Sequence, residues 1–570
     1  ALRNTLSVCE LNDAVQRTID RIIFLRIAED RGIEDYGSLR SLCNGSNIYG
    51  RLQELFYKAD DRYNSGLFHF RNEKDQAEPP DNLTPKLAID DKTLKEILTR
   101  LYYPDSPYEF SVLPADILGQ VYEQFLGKVI RLTSDHRAVV EDKPEVKKAG
   151  GVFYTPTYIV DYIVKNTVGK LLEGKTPKTV EKLRILDPAC GSGSFLLGAY
   201  QFLLNWHLQW YSENDPEKHA KAKRPILYKG YGDTWHLTTA ERKRILLNNI
   251  YGVDIDIQAV EVTKLSLLLK VLEDETSDTL NRQRFLFHER ALPNLGNNIK
   301  CGNSLIGPDF YDGKQMNLMD TEEAQRINVF DWHAEFSEIF KAGGFDAVIG
   351  NPPYGATLSR NDQDYLQIRY RQAQRFPDSY CYFIVKGSQL LRNEGFMSFI
   401  VPNTFCDIES CNDFRKWFLT STFIESIWQT GWAFKTAIVD TVVFVLRNTK
   451  HSLHNNLTIL VDGKQYSRKI SEFLDDDLFK IDYRNSIEEK QILQKTTNHP
   501  NLGSLAIVKA GVKLYEKGKG IPPQTEKTMV ERPYTKLDEN IDGWKLLYRG
   551  ENVKRYYFEK SREYVNYGQW

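Results

Sequence analysis

Leu186-Asp187-Pro188-Ala189-Cys190-Gly191-Ser192-Gly193-Ser194-Phe195-Leu196 is the stretch that decides the fold. It follows the apolar run Arg184–Leu186 and opens a helical pattern over Ser194–Trp206. Small residues at a strand-to-helix turn let backbone N–H groups approach a ligand closely, and a helix N-terminus favours a negative group. Asp187, at the strand tip, suits a cationic amine. Many nucleotide-binding folds share such a turn, and by itself it also serves as a bare tight bend. Outward from it, short β-branched runs recur at Ile250–Val253, Ala347–Ile349, Phe396–Val401 and Thr441–Leu446. Helical patterns such as Gln258–Leu272 and Tyr382–Leu391 lie between them. That alternation predicts a doubly wound α/β sheet.

A second strand ends in carboxylates at Tyr251-Gly252-Val253-Asp254-Ile255-Asp256. A carboxylate at the tip of a second strand suits ribose hydroxyls, although a solvated strand end looks the same. The interval between the two tips is long, so 207–249 reads as an inserted loop or helical excursion. The most specific signal is Asn351-Pro352-Pro353-Tyr354, directly after the apolar strand Phe345–Gly350. An aromatic amine is planar and a poor nucleophile. A carboxamide oxygen (Asn351) and a backbone carbonyl (Pro352) are acceptors for its two hydrogens, and so aim its lone pair. Pro352 also stiffens the backbone and has no N–H to divert. Tyr354 offers a flat face on which an unpaired base stacks. With a sulfonium methyl donor, this chemistry needs neither a metal nor a nucleophilic side chain. The bland alternative is a proline-rich turn at a strand end.

At 570 residues the chain is long enough for two to four domains. Its hydrophobic and charged fractions, 41% and 27%, are those of a globular protein. No apolar run is long enough to span a bilayer, and no signal peptide is apparent, so a cytoplasmic location without membrane attachment is expected. Cys9, Cys43, Cys190, Cys301, Cys381, Cys406 and Cys411 are odd in number and form no Cys-x-x-Cys pair. That pattern predicts a reducing compartment, no disulfide framework and no zinc site. Net charge is −2, but residues 501–570 carry 13 Lys and Arg against 9 Asp and Glu, a weak hint of polyanion contact.

Residues 1–135 read as a helical domain. Val15, Ile19, Ile22, Ile23 and Ile27 recur at helical spacing, with Asn12 or Asp13 as N-cap and Gly32 as a stop. Ile117, Val121 and Phe125 repeat the pattern. The charged stretch 136–149 reads as a linker, 150–500 as the α/β domain, and 501–570 as an irregular or β-rich start of a further domain. The chain lacks an initiator Met and stops at Trp570, which reads as a piece of a longer protein.

With these motifs in order, the chain resembles a gamma-class adenine-N6 DNA methyltransferase of the kind fused into type IIG restriction–modification enzymes. The resemblance covers roughly residues 10–570. Gly150-Gly151-Val152-Phe153-Tyr154-Thr155-Pro156 resembles the upstream cofactor motif of that class. The resemblance implies a Rossmann-like S-adenosylmethionine-dependent methyltransferase domain and double-stranded DNA as partner. It places Tyr154, Thr155, Pro156, Asp187, Pro188, Ala189, Gly191, Gly193 and Phe195 around the cofactor, with Asp187 near the methionine amine. Asp254 and Ile255 fall at the ribose end. Asn303 and Ser304, in Cys301-Gly302-Asn303-Ser304-Leu305, fall near the adenine; the family often has Asp where Asn303 stands. Asn351, Pro352, Pro353 and Tyr354 become the catalytic loop. Phe434, in Gly431-Trp432-Ala433-Phe434, becomes the aromatic that packs on the flipped base opposite Tyr354, unless it is merely a core residue. The helical segment resembles the connector to an N-terminal nuclease, and the C-terminal end resembles the start of a target-recognition domain.

Three other readings of the same residues stand beside this one. Asn-Pro-Pro-Tyr also serves enzymes that methylate guanine in RNA or glutamine in proteins. The position of Gly150–Pro156 upstream of the glycine turn and the flanking segments favour DNA. A DNA-specificity protein with a vestigial cofactor site would be expected to have lost the glycine turn, Asn351 or Tyr354, and an oxidoreductase leaves Asn351–Tyr354 unexplained. A nuclease centre within this chain finds only a loose match, in Pro104-Asp105 with Glu145-Val146-Lys147.

Overall fold

A computed structural model of the chain describes residues 6–566, apart from 64–65, 73–78, 113–127, 134–136, 143–154, 274, 276–291, 313–320, 356–357, 374–377, 432, 435–438 and 450–455, and, beyond 484, apart from 485–488, 490–491, 493–494, 496–498, 501, 506–513, 516–522, 539–541 and 556. The chain divides into two compact units, Ala1–Arg484 and Asn485–Trp570.

Among the described residues of the first unit, nine strands form one sheet. In chain order they are β1 (Ile185–Asp187), β2 (Ile250–Asp254), β3 (Ile299–Cys301), β4 (Phe345–Gly350), β5 (Leu391–Pro402), β6 (Phe423–Gly431), β7 (Thr441–Arg447), β8 (Asn456–Val461) and β9 (Lys464–Lys469). Their spatial order is β9-β8-β6-β7-β5-β4-β1-β2-β3. The five strands from β5 to β3 are mutually parallel. β7 runs antiparallel to both neighbours, β5 and β6. The chain builds one half of the sheet outward from β1 and then returns to lay β4 on the other side of it. The carboxyl ends of β1 and β4 therefore meet at the point where the order reverses, which is where open α/β sheets bind ligands.

The central strands are buried on both faces, as expected of a parallel sheet covered by helices. Side chains alternate between two cores with period two. Ile185, Ala347, Ile349, Ile400 and Val443 enter one core. Leu186, Val348, Phe399, Val401, Val442 and Phe444 enter the other. The helices that matter for the site are α1 (Val8–Asp30), α2 (Thr157–Val164), α3 (Ser194–Glu213), α4 (Ile257–Val271) and α5 (Ser379–Leu390).

The expected α/β alternation holds, with corrections at the ends of elements. α1 begins at Val8, not after Asn12 or Asp13, because Ser7 and Glu10 complete a capping box. Asn12 instead uses its amide to bond both N–H and C=O of Ile130, like a strand partner. The helical domain is not helical throughout, since Lys128–Leu132 pairs with Ala138–Asp142 as a hairpin, and the second strand lies inside the stretch 136–149 read as a linker. Ile117, Val121 and Phe125 fall outside the described residues. The excursion 207–249 resolves into the end of α3, a short helix Pro216–Ala220, a hairpin of Leu227–Lys229 with Trp235–Leu237, and the helix Thr239–Asn249.

The second unit contains the helix Glu526–Glu531 and a small sheet in which Glu563–Val565 lies between Thr535–Leu537 and Lys545–Leu546. A two-stranded hairpin joins Val553–Lys554 to Tyr557–Phe558.

Candidate active site at the ends of β1, β2 and β4

Asp187 ends β1 and is 1% exposed. Its Oδ1 accepts the Ala189 N–H at 3.0 Å, while Oδ2 is buried and accepts no hydrogen bond. Burial pushes its pKa up to about 8; the Ala189 N–H opposes that shift and the neighbouring Asp254 adds to it. A buried carboxylate oxygen with no donor is costly unless something cationic reaches it. Gly350, the last residue of β4, lies against this group: a Cβ there would stand 2.6 Å from Asp187 Oδ1. Only glycine lets the two strand ends approach so closely.

The glycine turn is held in shape by its neighbours. Gly191 and Gly193 have φ of 53° and 87°, the left-handed region. A Cβ on Gly193 would also press on Thr263 of α4 at 2.9 Å. The Gly193 N–H closes on the Cys190 carbonyl, and Thr263 Oγ1 donates to the Gly191 carbonyl at 2.8 Å. Asp254, at the tip of β2, takes the Gly191 N–H on Oδ2 and the Asp256 N–H on Oδ1, both at 2.9 Å. Its carboxylate thus ties the second strand to the turn. Ile255 beside it is 49% exposed and offers an apolar surface at the mouth. Ser304 Oγ donates to the Pro188 carbonyl at 2.5 Å. Asn303 Oδ1 accepts the Leu305 N–H at 3.0 Å.

The loop after β4 supplies the second half of the site. Asn351 Nδ2 donates to Thr155 Oγ1 at 3.2 Å. Thr155 is buried, and Pro156 caps α2 with its carbonyl, which accepts the Ile159 N–H. The amide of Asn351 is therefore committed at its nitrogen end. Its Oδ1 is buried with no hydrogen-bond partner, and burial raises the Tyr354 pKa, a shift that the nearby Asn351 amide opposes. Pro352 is buried, Pro353 exposed, and Tyr354 half-buried with its ring against both cores. Two residues that sequence reading missed touch this loop. Ser379 Oγ donates to the Pro353 carbonyl, and the Asp378 carboxylate accepts the Gly355 N–H at 2.9 Å.

Thr155, Asp187, the glycine turn, Asp254, Asn303, Ser304 and the 351–354 loop thus assemble around the ends of β1 to β4. The side chains of Phe195 and Phe434, at 3% and 4% exposure, belong to the core, and Tyr354 packs against the same core as Phe434. Tyr154 lies outside the described residues, as do Glu145–Lys147 of the loose nuclease match. Among the described residues, no group of three His, Cys, Asp or Glu side chains is placed to hold a metal ion. Among them too, no helix is long and apolar enough to cross a membrane.

Comparison with known proteins gives two family models. "N-6 DNA Methylase" matches residues 114–292, and "Eco57I restriction-modification methylase" matches residues 248–434. The type II restriction enzyme and methyltransferase RM.Eco57I of Escherichia coli is 31% identical over 457 residues, 79% of this chain and 42% of the relative. The adenine-specific methyltransferase BrxX of Escherichia coli O9:H4 (strain HS) is 21% identical over 70% of this chain and 38% of its own length. The chain thus spans about two fifths of these curated relatives. A solved DrdV–DNA complex aligns with a TM-score of 0.42 at 15% identity, over 84% of this chain and 39% of that one.

Proposed function

The chain belongs to the N6-adenine DNA methyltransferase families, and we propose that it transfers a methyl group from S-adenosylmethionine to the N6 amino group of adenine in double-stranded DNA. The reading extends to a role as the modification part of a restriction–modification system in the cytoplasm, with a nuclease elsewhere in the parent protein. One observation carries it: Asn351 Oδ1 is buried and lacks a well-formed hydrogen bond, at a strand end that abuts the unpartnered carboxylate oxygen of Asp187.

The residues fit S-adenosylmethionine. Asp187 Oδ2 awaits a cationic donor, as the methionine amine provides. Asp254, held by the Gly191 and Asp256 N–H groups, places a carboxylate at the tip of the second strand, the kind of acceptor that ribose hydroxyls take. Ile255 gives the adenine ring an apolar cover, and the Asn303 amide gives its edge a polar partner. When bound, S-adenosylmethionine supplies a methyl group on a positively charged sulfur, a leaving group that needs no further activation.

The loop does the rest. Target adenine in a duplex is out of reach and must leave the stack. Tyr354 then offers a ring for it to lie on. Asn351 Oδ1 and the Pro352 carbonyl accept the two N6 hydrogens. Those bonds draw the hydrogens away from N6, push electron density onto the nitrogen and favour a pyramidal amine whose lone pair is withdrawn from the ring π system. The Asn351–Thr155 bond matters here because it fixes which end of the amide is the acceptor. As the amine nitrogen forms its fourth bond it becomes positive; both acceptors stabilise that charge more strongly than they bind the neutral amine, and one of the two N6 protons then leaves to water to give the neutral methylamino group.

Tyr354→Ala is expected to weaken base capture by about 1–3 kcal/mol, the usual worth of one aromatic–base stack. The measurement is KM for unmethylated genomic DNA alongside cofactor affinity; unchanged KM and turnover would remove Tyr354 from the base pocket. The proposal as a whole is tested by incubating the protein with methyl-labelled S-adenosylmethionine and DNA, RNA or bulk protein. Label in DNA adenine supports it. Label confined to RNA or protein overturns it.

A further inference from the structure

The 351–355 loop carries its acceptors on backbone as well as side chain, so its conformation decides whether they point at the base. It is held from two directions. On the β4 side, Asn351 Nδ2 binds Thr155. On the other side, the start of α5 grips the loop twice: Ser379 Oγ on the Pro353 carbonyl and Asp378 Oδ1 on the Gly355 N–H. These two bonds flank Tyr354, one residue before it and one after.

The grip is anchored in rigid material. Tyr380, Cys381, Tyr382 and Ile384, which follow on α5, are each at most 1% exposed, and Ser379 is 2% exposed. Burial raises the Asp378 pKa, while the N–H groups of Gly355, Ser379 and Tyr380 oppose that shift. Pro353 confines ψ of Pro352 to the extended region, but ψ of Pro353 and the dihedrals of Tyr354 and Gly355 stay open, so the prolines do not by themselves fix where the Tyr354 ring lies. A loop tied at both Pro353 and Gly355 has that freedom removed.

We propose that Asp378 and Ser379 are positioning residues for the base-binding loop: their two hydrogen bonds, on either side of Tyr354, hold the Pro352 carbonyl and the Tyr354 ring where the extruded adenine is received. The proposal rests on the adenine-methyltransferase reading for what the loop receives, but the latch itself has a readout of its own.

The test uses the whole protein with Ser379→Ala, Asp378→Ala and the conservative Ser379→Thr and Asp378→Asn. Three quantities are compared: the single-turnover methylation rate on unmethylated genomic DNA, S-adenosylmethionine affinity, and hydrogen–deuterium exchange of the Gly355 amide. Both alanine variants should lose roughly ten- to a hundredfold in rate, the scale of a displacement of about 1 Å in a reacting group. Cofactor affinity should stay within about twofold, and Gly355 should exchange faster in Asp378→Ala. Thr at 379 and Asn at 378, which keep a donor and an acceptor, should restore most of the rate. Wild-type rates in both alanine variants would overturn the proposal. So would unchanged exchange at Gly355, or a rate that falls only in step with cofactor affinity and melting temperature. If the wild-type protein labels no DNA adenine, the broader reading fails, and the exchange result still decides the latch.

Discussion

Asn351→Ala is expected to abolish methyl transfer, with a loss of at least about 10²–10³-fold, the scale of removing one preorganised polar contact to a developing charge. S-adenosylmethionine should still bind with near-normal affinity. The reason is geometric: Asn351 Oδ1 is the buried acceptor at the end of β4, whereas the carboxylate proposed to take the cofactor's amine belongs to Asp187 on β1. The variant also frees Thr155 Oγ1, which now accepts the Asn351 amide. Asn351→Gln keeps the chemistry but moves the acceptor by one methylene, and should be nearly as damaged. Methylation at the wild-type rate in Asn351→Ala would remove the mechanism, and loss of cofactor binding in parallel would relocate Asn351 to the donor half of the site.

Asp187→Asn carries the second large effect, and it has opposite signs on stability and on binding. The folded-state pKa of Asp187 is raised from 3.8 to about 8 by burial. A raised carboxylate pKa means that the folded protein disfavours the ionised form. That cost begins above the unfolded value, near pH 4, grows as pH rises, and is complete above about pH 8. An asparagine at this position has no charge to bury, so the variant should melt at a higher temperature than wild type near pH 8, with the difference shrinking toward pH 4. Binding goes the other way. A cofactor ammonium stabilises the ionised carboxylate, so wild-type affinity should rise between about pH 6 and 8, with proton release on binding. Asp187→Asn should bind at least about tenfold more weakly, as loss of a charge-assisted hydrogen bond implies, and without that pH dependence. An affinity flat across this window in the wild type, or an Asn variant that binds equally well, would contradict the assignment.

The strand-end positions that line the candidate site are easier to place from the sequence than the strands of the sheet are. Asp187, Asp254 and Asn351 are each the first strongly polar residue after a buried apolar run, and such a residue sits at the carboxyl end of a parallel strand whatever surrounds it. β5 was legible only from Phe396, because Arg392, Asn393 and Glu394 interrupt its start, beside the irregularity that pairs Phe345 with Leu391. β6, β8 and β9 mix polar and apolar residues, as strands toward a sheet edge do, and gave no clear run. Phe195 and Phe434 show a different limit: an aromatic residue beside a motif does not reveal which way it faces, and both rings are buried in the core. Asp378 and Ser379 could not be read at all. Their partners lie more than twenty residues earlier in the chain, and nothing in local periodicity marks a helix start that bonds to a distant loop.

The most direct test of the central claim is single-molecule sequencing of modified bases in DNA from cells that express the protein, with Asn351→Ala as the paired control. The expected result is N6-methyladenine at a recurring sequence motif in the wild-type sample and its disappearance in the variant. Unmodified adenine in the wild-type sample, or a methylated motif that persists when residue 351 is alanine, would contradict the account.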